Sequence, residues 1–260
     1  MSHDTETLPV AHRPGPAAWA QLVLGEARVV VRDTAGLILP IGMPVLILVM
    51  NGIGDGADQV LANGSTVMSA IILPLTLSMV AALVGVVNMP SFLASYRKHG
   101  ILRRLAVTPA RPSMVLVSQM AVSLVQFLIG AGLAVTLGVV AFGATLPAAP
   151  GWALLAGLGL VGSMYAVGLL IAATARSVNG ALAVGLVAFF VMLALGGGFG
   201  PVENLPDALA TIGERLPFGA ASAALSAAWV GQAPSSLHLA VLTAWTVVAG
   251  ALSAKLFRWT

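Results

Sequence analysis

The 260 residues include 12 Lys or Arg, 9 Asp or Glu and no cysteine, and 58% of the chain is hydrophobic against 8% charged. A soluble domain carries about 25% charge, so this composition excludes one, and the lack of cysteine excludes disulfides and thiolate metal sites. What charge there is lies in narrow bands, for no Lys, Arg, Asp or Glu occurs in 59–96, 112–175, 177–202 or 216–254. One such residue at the bilayer centre costs about 2.5–3.5 kcal/mol on the insertion scale, so these tracts read as membrane-embedded.

In chain order, residues 1–15 are polar, hold Pro9 and Pro14, and lack the apolar stretch of a cleaved leader. They read as a disordered tail. Residues 16–33 form an amphipathic helix: Gln21, Gly25, Arg28 and Arg32 share one face, with Trp19, Val23, Ala27 and Val30 opposite. A Trp on the apolar side and Arg on the polar side suit a helix lying in the membrane interface, as an anchor or as a partner contact. Glu26 and Asp33 fall at the edge of the apolar arc, where pairing with a basic loop further on would account for them.

About 20 apolar residues cross the hydrocarbon core as a helix. Six tracts qualify as spans: 34–50, 66–87, 114–142, 152–174, 181–199 and 237–257. Pro40 and Pro44 predict a kink in the first and Pro74 one in the second. Six spans put both termini on one side. Eleven of the twelve basic residues then fall on that side and only Arg215 opposite, while Asp55, Asp58, Glu203, Asp207 and Glu214 lie outside. The positive-inside rule places both termini in the cytoplasm.

Two further segments are neither span nor plain loop. Residues 90–113 hold Arg97, Lys98, Arg103, Arg104, Arg111 and His99 and no acid, interleaved with Tyr96, Ile101, Leu102 and Leu105. Orientation alone needs charge but not interleaved apolar residues, so this segment reads as a short helix from Tyr96 to Val107, closed by Pro109, that docks on another protein. Residues 201–231 carry Pro201, Pro206 and Pro217 and an apolar stretch of 13 residues, 218–230. At 1.5 Å rise that covers roughly 20 Å, too little for a 30 Å core, so it is expected to be re-entrant from the outer face.

The run Tyr96-Arg97-Lys98-His99-Gly100-Ile101-Leu102-Arg103-Arg104-Leu105-Ala106-Val107-Thr108-Pro109 resembles the cytoplasmic segment between spans 2 and 3 in membrane subunits of type-2 ABC exporters. Residues Gly198-Phe199-Gly200-Pro201-Val202-Glu203-Asn204-Leu205-Pro206 are similar to that family's outer segment after span 5, and Leu216-Pro217-Phe218 stands where it usually has Asn-Pro-Leu. Two positions depart from the pattern: Tyr96 and Lys98 flank Arg97 where an acid is common, and no Asn precedes Pro217.

The resemblance implies an all-α polytopic membrane protein: six transmembrane helices over 34–260, an N-terminal interfacial helix, a cytoplasmic coupling helix within 90–113, and re-entrant outer helices within 201–231. It implies a permease of the plasma (inner) membrane that pairs with a second permease copy, or a homologous one, and binds two copies of a separate ABC ATPase subunit. Arg97, Lys98, Gly100, Leu102, Arg103, Arg104, Leu105 and Pro109 would dock on that ATPase. Trp19, Arg28 and Arg32 would seat the first helix on membrane lipid. Phe199, Pro201, Glu203, Pro206, Pro217 and Phe218 would close the outer gate.

The chain itself reads as no enzyme. A P-loop needs Lys followed by Ser or Thr, but Lys98 precedes His99 and Lys255 precedes Leu256, so ATP and Mg belong on the partner. The run 157–162 matches GxGxxG but lies inside a span with no strand before it, and reads as small residues for helix packing. The four histidines are scattered without metal spacing, and nothing points to nucleic acid. Ion-coupled transporters usually hold ionisable residues at membrane depth; here Asp, Glu, Lys, Arg and His are absent from the spans except at the two ends of the last, His238 and Lys255. That favours an ATP-driven exporter of an apolar or amphipathic cargo such as a drug, antibiotic or lipid, as in efflux and antibiotic resistance. Polysaccharide or glycolipid export is the runner-up. An ATP-independent secondary transporter and a membrane-embedded enzyme are the rivals from other classes.

Overall fold

The computed structural model describes residues 15–100 and 112–256. Its elements are helical, apart from one isolated bridge between Val60 and Thr66 in the loop after α2. Helix α1 spans Pro16–Arg32 and α2 spans Thr34–Ile53. A continuous helix α3 runs Met68–Lys98, followed by α4 (Pro112–Phe142), α5 (Pro150–Thr174) and α6 (Val178–Leu195). Two short helices come next, α7 (Asp207–Arg215) and α8 (Pro217–Trp229), and then α9 (Ser236–Leu256). Six of these, α2 to α6 and α9, are long and apolar enough to cross a membrane.

The spans close around α3. Its most apolar window is 83% buried, against 22% for α2 and 17% for α9. An apolar helix inside a bundle of apolar helices gains nothing from hydrophobicity alone, so close packing has to hold it. Glycines provide that. Gly168 of α5 lies against the Gly85 carbonyl, and Gly185 of α6 lies against the Val86 carbonyl. On the far side of α5, Gly159 and Gly162 receive Leu242 and Thr246 of α9.

Helix α3 is longer than the expected 66–87 and carries two π-helical stretches, Met68–Ile72 and Leu83–Asn88. Each lies just before a proline, Pro74 or Pro90. A proline donates no N–H to the carbonyl four residues back, and a helix often absorbs the loss as a π-bulge. The widened ladder is explicit where Leu73 N–H donates to Met68 O and Met89 N–H to Val84 O. Asn88 and Pro90 look like an ending in the sequence, yet the helix continues to Lys98. The segment read as a loop from Pro90 is therefore helical over its first nine residues.

Helices α7 and α8 form the re-entrant pair. The Trp245 indole N–H donates to the Arg215 carbonyl at 2.9 Å, so the α7–α8 turn lies alongside α9 rather than beyond its end. Helix α8 then leads to the loop between α4 and α5, where the Trp229 indole N–H donates to Thr145 O at 2.9 Å. Gly213 against the Leu195 carbonyl, and Gly219 against the Gly213 carbonyl, let the two short helices pack tightly on the end of α6.

Candidate coupling and gate sites

Helix α1 packs mainly on α4, with a smaller contact to α2. Its inner face is Val23, Ala27 and Val30, which meet Phe92 of α3 and Val122 of α4 in a small apolar cluster. Arg28 and Arg32 are exposed and Trp19 is half-buried, the distribution expected of the amphipathic pattern. Glu26 lies on the buried face, 9% exposed. The Tyr96 hydroxyl, from the last turns of α3, donates to its Oε2. Burial holds the Glu26 carboxyl above the usual carboxylate range, and the hydrogen bond from Tyr96 offsets part of that rise.

The two acids at the edge of the apolar arc thus have other uses than the anticipated pairing with basic residues. Glu26 takes a neutral phenol. Asp33 caps α2, accepting from Gly36 N–H at 3.0 Å, as a residue at a helix start does for an orphan N–H.

Arg97 follows Tyr96 directly and turns to another helix. Its Nη2 donates to the carbonyls of Ala172 and Ala175, the latter at 3.0 Å. These lie at the C-terminus of α5, where the last carbonyls have no partner within the helix. Lys98 is exposed, and Gly100 sits at φ +66° in the turn that ends α3, a conformation that favours glycine. Leu102, Arg103, Arg104, Leu105 and Pro109 lie outside the described residues. Sequence reasoning set Glu26 against this segment but expected a basic partner where the structure has the Tyr96 hydroxyl, and it missed the α5 terminus.

At the outer end, Phe199, Pro201, Glu203 and Pro206 are exposed on the loop after α6, with Phe199 at 73%. Pro217 and Phe218 are buried, and the Phe218 ring lies against Gly196. The six expected gate residues therefore divide between an exposed loop and the buried start of α8.

Polar groups at membrane depth are mostly satisfied within the bundle. The hydroxyls of Thr76, Ser78, Ser163 and Thr174 donate to Ile72, Pro74, Leu160 and Leu170 carbonyls of their own helices. Asn88 and Gln126 both donate to Gly36 O, at 2.6 and 2.7 Å, and tie α2, α3 and α4 together near the α2 start. Among the described residues no group of His, Asp and Glu could hold a metal ion.

This arrangement is that of a multi-pass α-helical membrane domain with a re-entrant pair at one end and a basic segment at the other. The family model described as ABC-2 type transporter matches residues 18–229. The chain belongs to that family, the permease component of ABC transporters, which works with an ABC ATPase subunit. No curated protein matches it.

Proposed function

We propose that the chain is the permease subunit of an ATP-driven exporter. It moves an apolar or amphipathic molecule, such as a drug, antibiotic or lipid, out of the cytoplasm or the inner leaflet. In this reading it sits in the plasma (inner) membrane with both termini in the cytoplasm. It pairs with a second permease and binds two ATPase subunits, which carry ATP and Mg. The basic residues of the segment after α3 dock on the ATPase, and the α7–α8 pair with the preceding loop closes the exit.

The observation that carries the proposal is the course of α3. One unbroken helix, the most buried of the six, runs from the outer loop to the basic segment. A single helix packed against several other spans joins the two ends of the bundle, the kind of connection an external ATPase requires of its permease. The apolar character of the cargo is supported by how the bundle uses its polar groups, since the buried hydroxyls of Thr76, Ser78, Ser163 and Ser253 bond back to their own helices. It is supported too by a groove of about 380 Å³ lined by Leu77, Phe127, Val135, Leu160, Leu225 and Trp229, which offers hydrocarbon contact almost throughout.

The test is reconstitution in liposomes, with and without the ATPase that co-purifies from native membranes. The chain alone is expected neither to hydrolyse ATP nor to transport a fluorescent amphiphile, with both activities appearing on addition of the ATPase. ATP turnover by the isolated chain would overturn the reading.

A further inference from the structure

The contact between Arg97 and the end of α5 joins the last turn of α3, just before the basic segment, to another helix of the bundle. A guanidinium suits this place on two counts. It supplies donors to carbonyls that the helix leaves unpaired, and its charge lies at the negative end of the α5 dipole. The chain then reverses within residues 175–177 and enters α6, whose first turn is capped by Ser177, with the Gly180 N–H donating to its hydroxyl at 3.0 Å. With so short a connection, displacement of the α5 terminus carries the α6 start with it. Helix α6 in turn ends against Gly213 and Phe218 of the re-entrant pair.

We propose that Arg97 is a positioning residue rather than an ATPase contact. It grips the Ala172 and Ala175 carbonyls and transmits movement of the basic segment to the α5–α6 turn, and so to the helix that carries the outer gate. Tyr96 at the same corner holds α1 through Glu26, so neighbouring residues of one helix end reach different elements. The proposal rests on the exporter reading above, and its test separates the two.

The chain has no cysteine, so a single reporter site can be introduced. Asn179 is exposed in the first turn of α6. Asn179→Cys is labelled on the purified chain with an environment-sensitive fluorophore, and the labelled chain is then assembled with its ATPase in nanodiscs. In the parent, ATP with vanadate is expected to shift the emission. In Arg97→Gln the ATPase is expected to bind and turn over ATP as before, while the shift is lost. Arg97→Lys, which keeps the charge and one donor direction, should restore part of it and also guards against a fold defect in the Gln variant.

An unchanged shift in Arg97→Gln overturns the proposal. So does loss of ATPase binding in that variant, which would make Arg97 a docking residue, and so does a parent whose reporter never responds although ATP is hydrolysed. Failure of any ATPase to associate with the parent would instead overturn the exporter reading.

Discussion

Gly168 of α5 stands directly against the backbone carbonyl of Gly85 in α3, so close that a β-carbon at residue 168 would overlap the carbonyl oxygen. Gly85 lies in the π-helical stretch Leu83–Asn88, where the ladder is already widened before Pro90. The two helices touch backbone to backbone at the point where the central span departs from α-helical geometry. Small residues allow this approach, and in a membrane such approach is a main source of helix association.

Gly168→Ala is therefore expected to lower the thermal stability of the detergent-purified protein, with overpacking costing about 1–3 kcal/mol. Gly157 is the comparison. A β-carbon there meets nothing within 4 Å, so Gly157→Ala should leave the melting temperature unchanged or raise it slightly. Equal losses in the two variants would contradict the packing account.

The Glu26–Tyr96 contact predicts a pH dependence with a definite sign. Burial raises the folded carboxyl pKa, so the fold favours the protonated form. The stabilisation is complete below the ordinary carboxylate range and is lost as pH rises through the raised value. Docking of α1 should loosen as pH rises through that raised value, read as faster tryptic cleavage at the exposed Arg28 and Arg32 relative to a reference peptide cleaved at the same pH. Glu26→Gln keeps a neutral acceptor for the Tyr96 hydroxyl and should flatten that dependence. A variant with the parent's full pH dependence would show that some other group titrates.

Arg103→Glu combined with Arg104→Glu is expected to abolish co-purification of the ATPase. Each charge-assisted bond to an acidic groove contributes on the order of 1.5–3 kcal/mol. Insertion should be unaffected, since nine of the eleven inner basic residues remain. Reporters fused after Arg104 or Arg258 should still read as cytoplasmic and those at Asp55 or Asp207 as external. Retained ATPase binding in a correctly inserted double variant would remove the docking role from these arginines. An external signal at Arg104 would overturn the six-span topology itself.

The sequence made the spans legible because exclusion of charge from hydrocarbon acts on every residue of a tract and needs no knowledge of neighbours. The 13-residue re-entrant helix was legible for a similar reason, being too short to cross. The end of α3 was not. Asn88 and Pro90 resemble a helix stop, but Asn88 is satisfied by Gly36 O of α2 and Gln126 of α4, and the proline is absorbed by a π-bulge. Those partners lie 52 and 38 residues away, beyond any local pattern. The helix register did place Arg28 and Arg32 outward. It left Glu26 at the edge of the apolar arc, where only contact with α3 shows it buried.

By itself the sequence determined that this is a membrane protein of six spans, that its basic residues gather at one end of them, and which segments leave the span pattern. Each follows from solvation free energies summed along the chain. Only the tertiary structure decided that α3 is the central span, that glycines of α5 and α6 lie on its carbonyls, and that Tyr96 and Arg97 reach α1 and the end of α5. These depend on which helices become neighbours. Once the bilayer has removed the hydrophobic difference between apolar faces, that choice rests on backbone shape and on a few buried polar groups seeking partners far away in sequence.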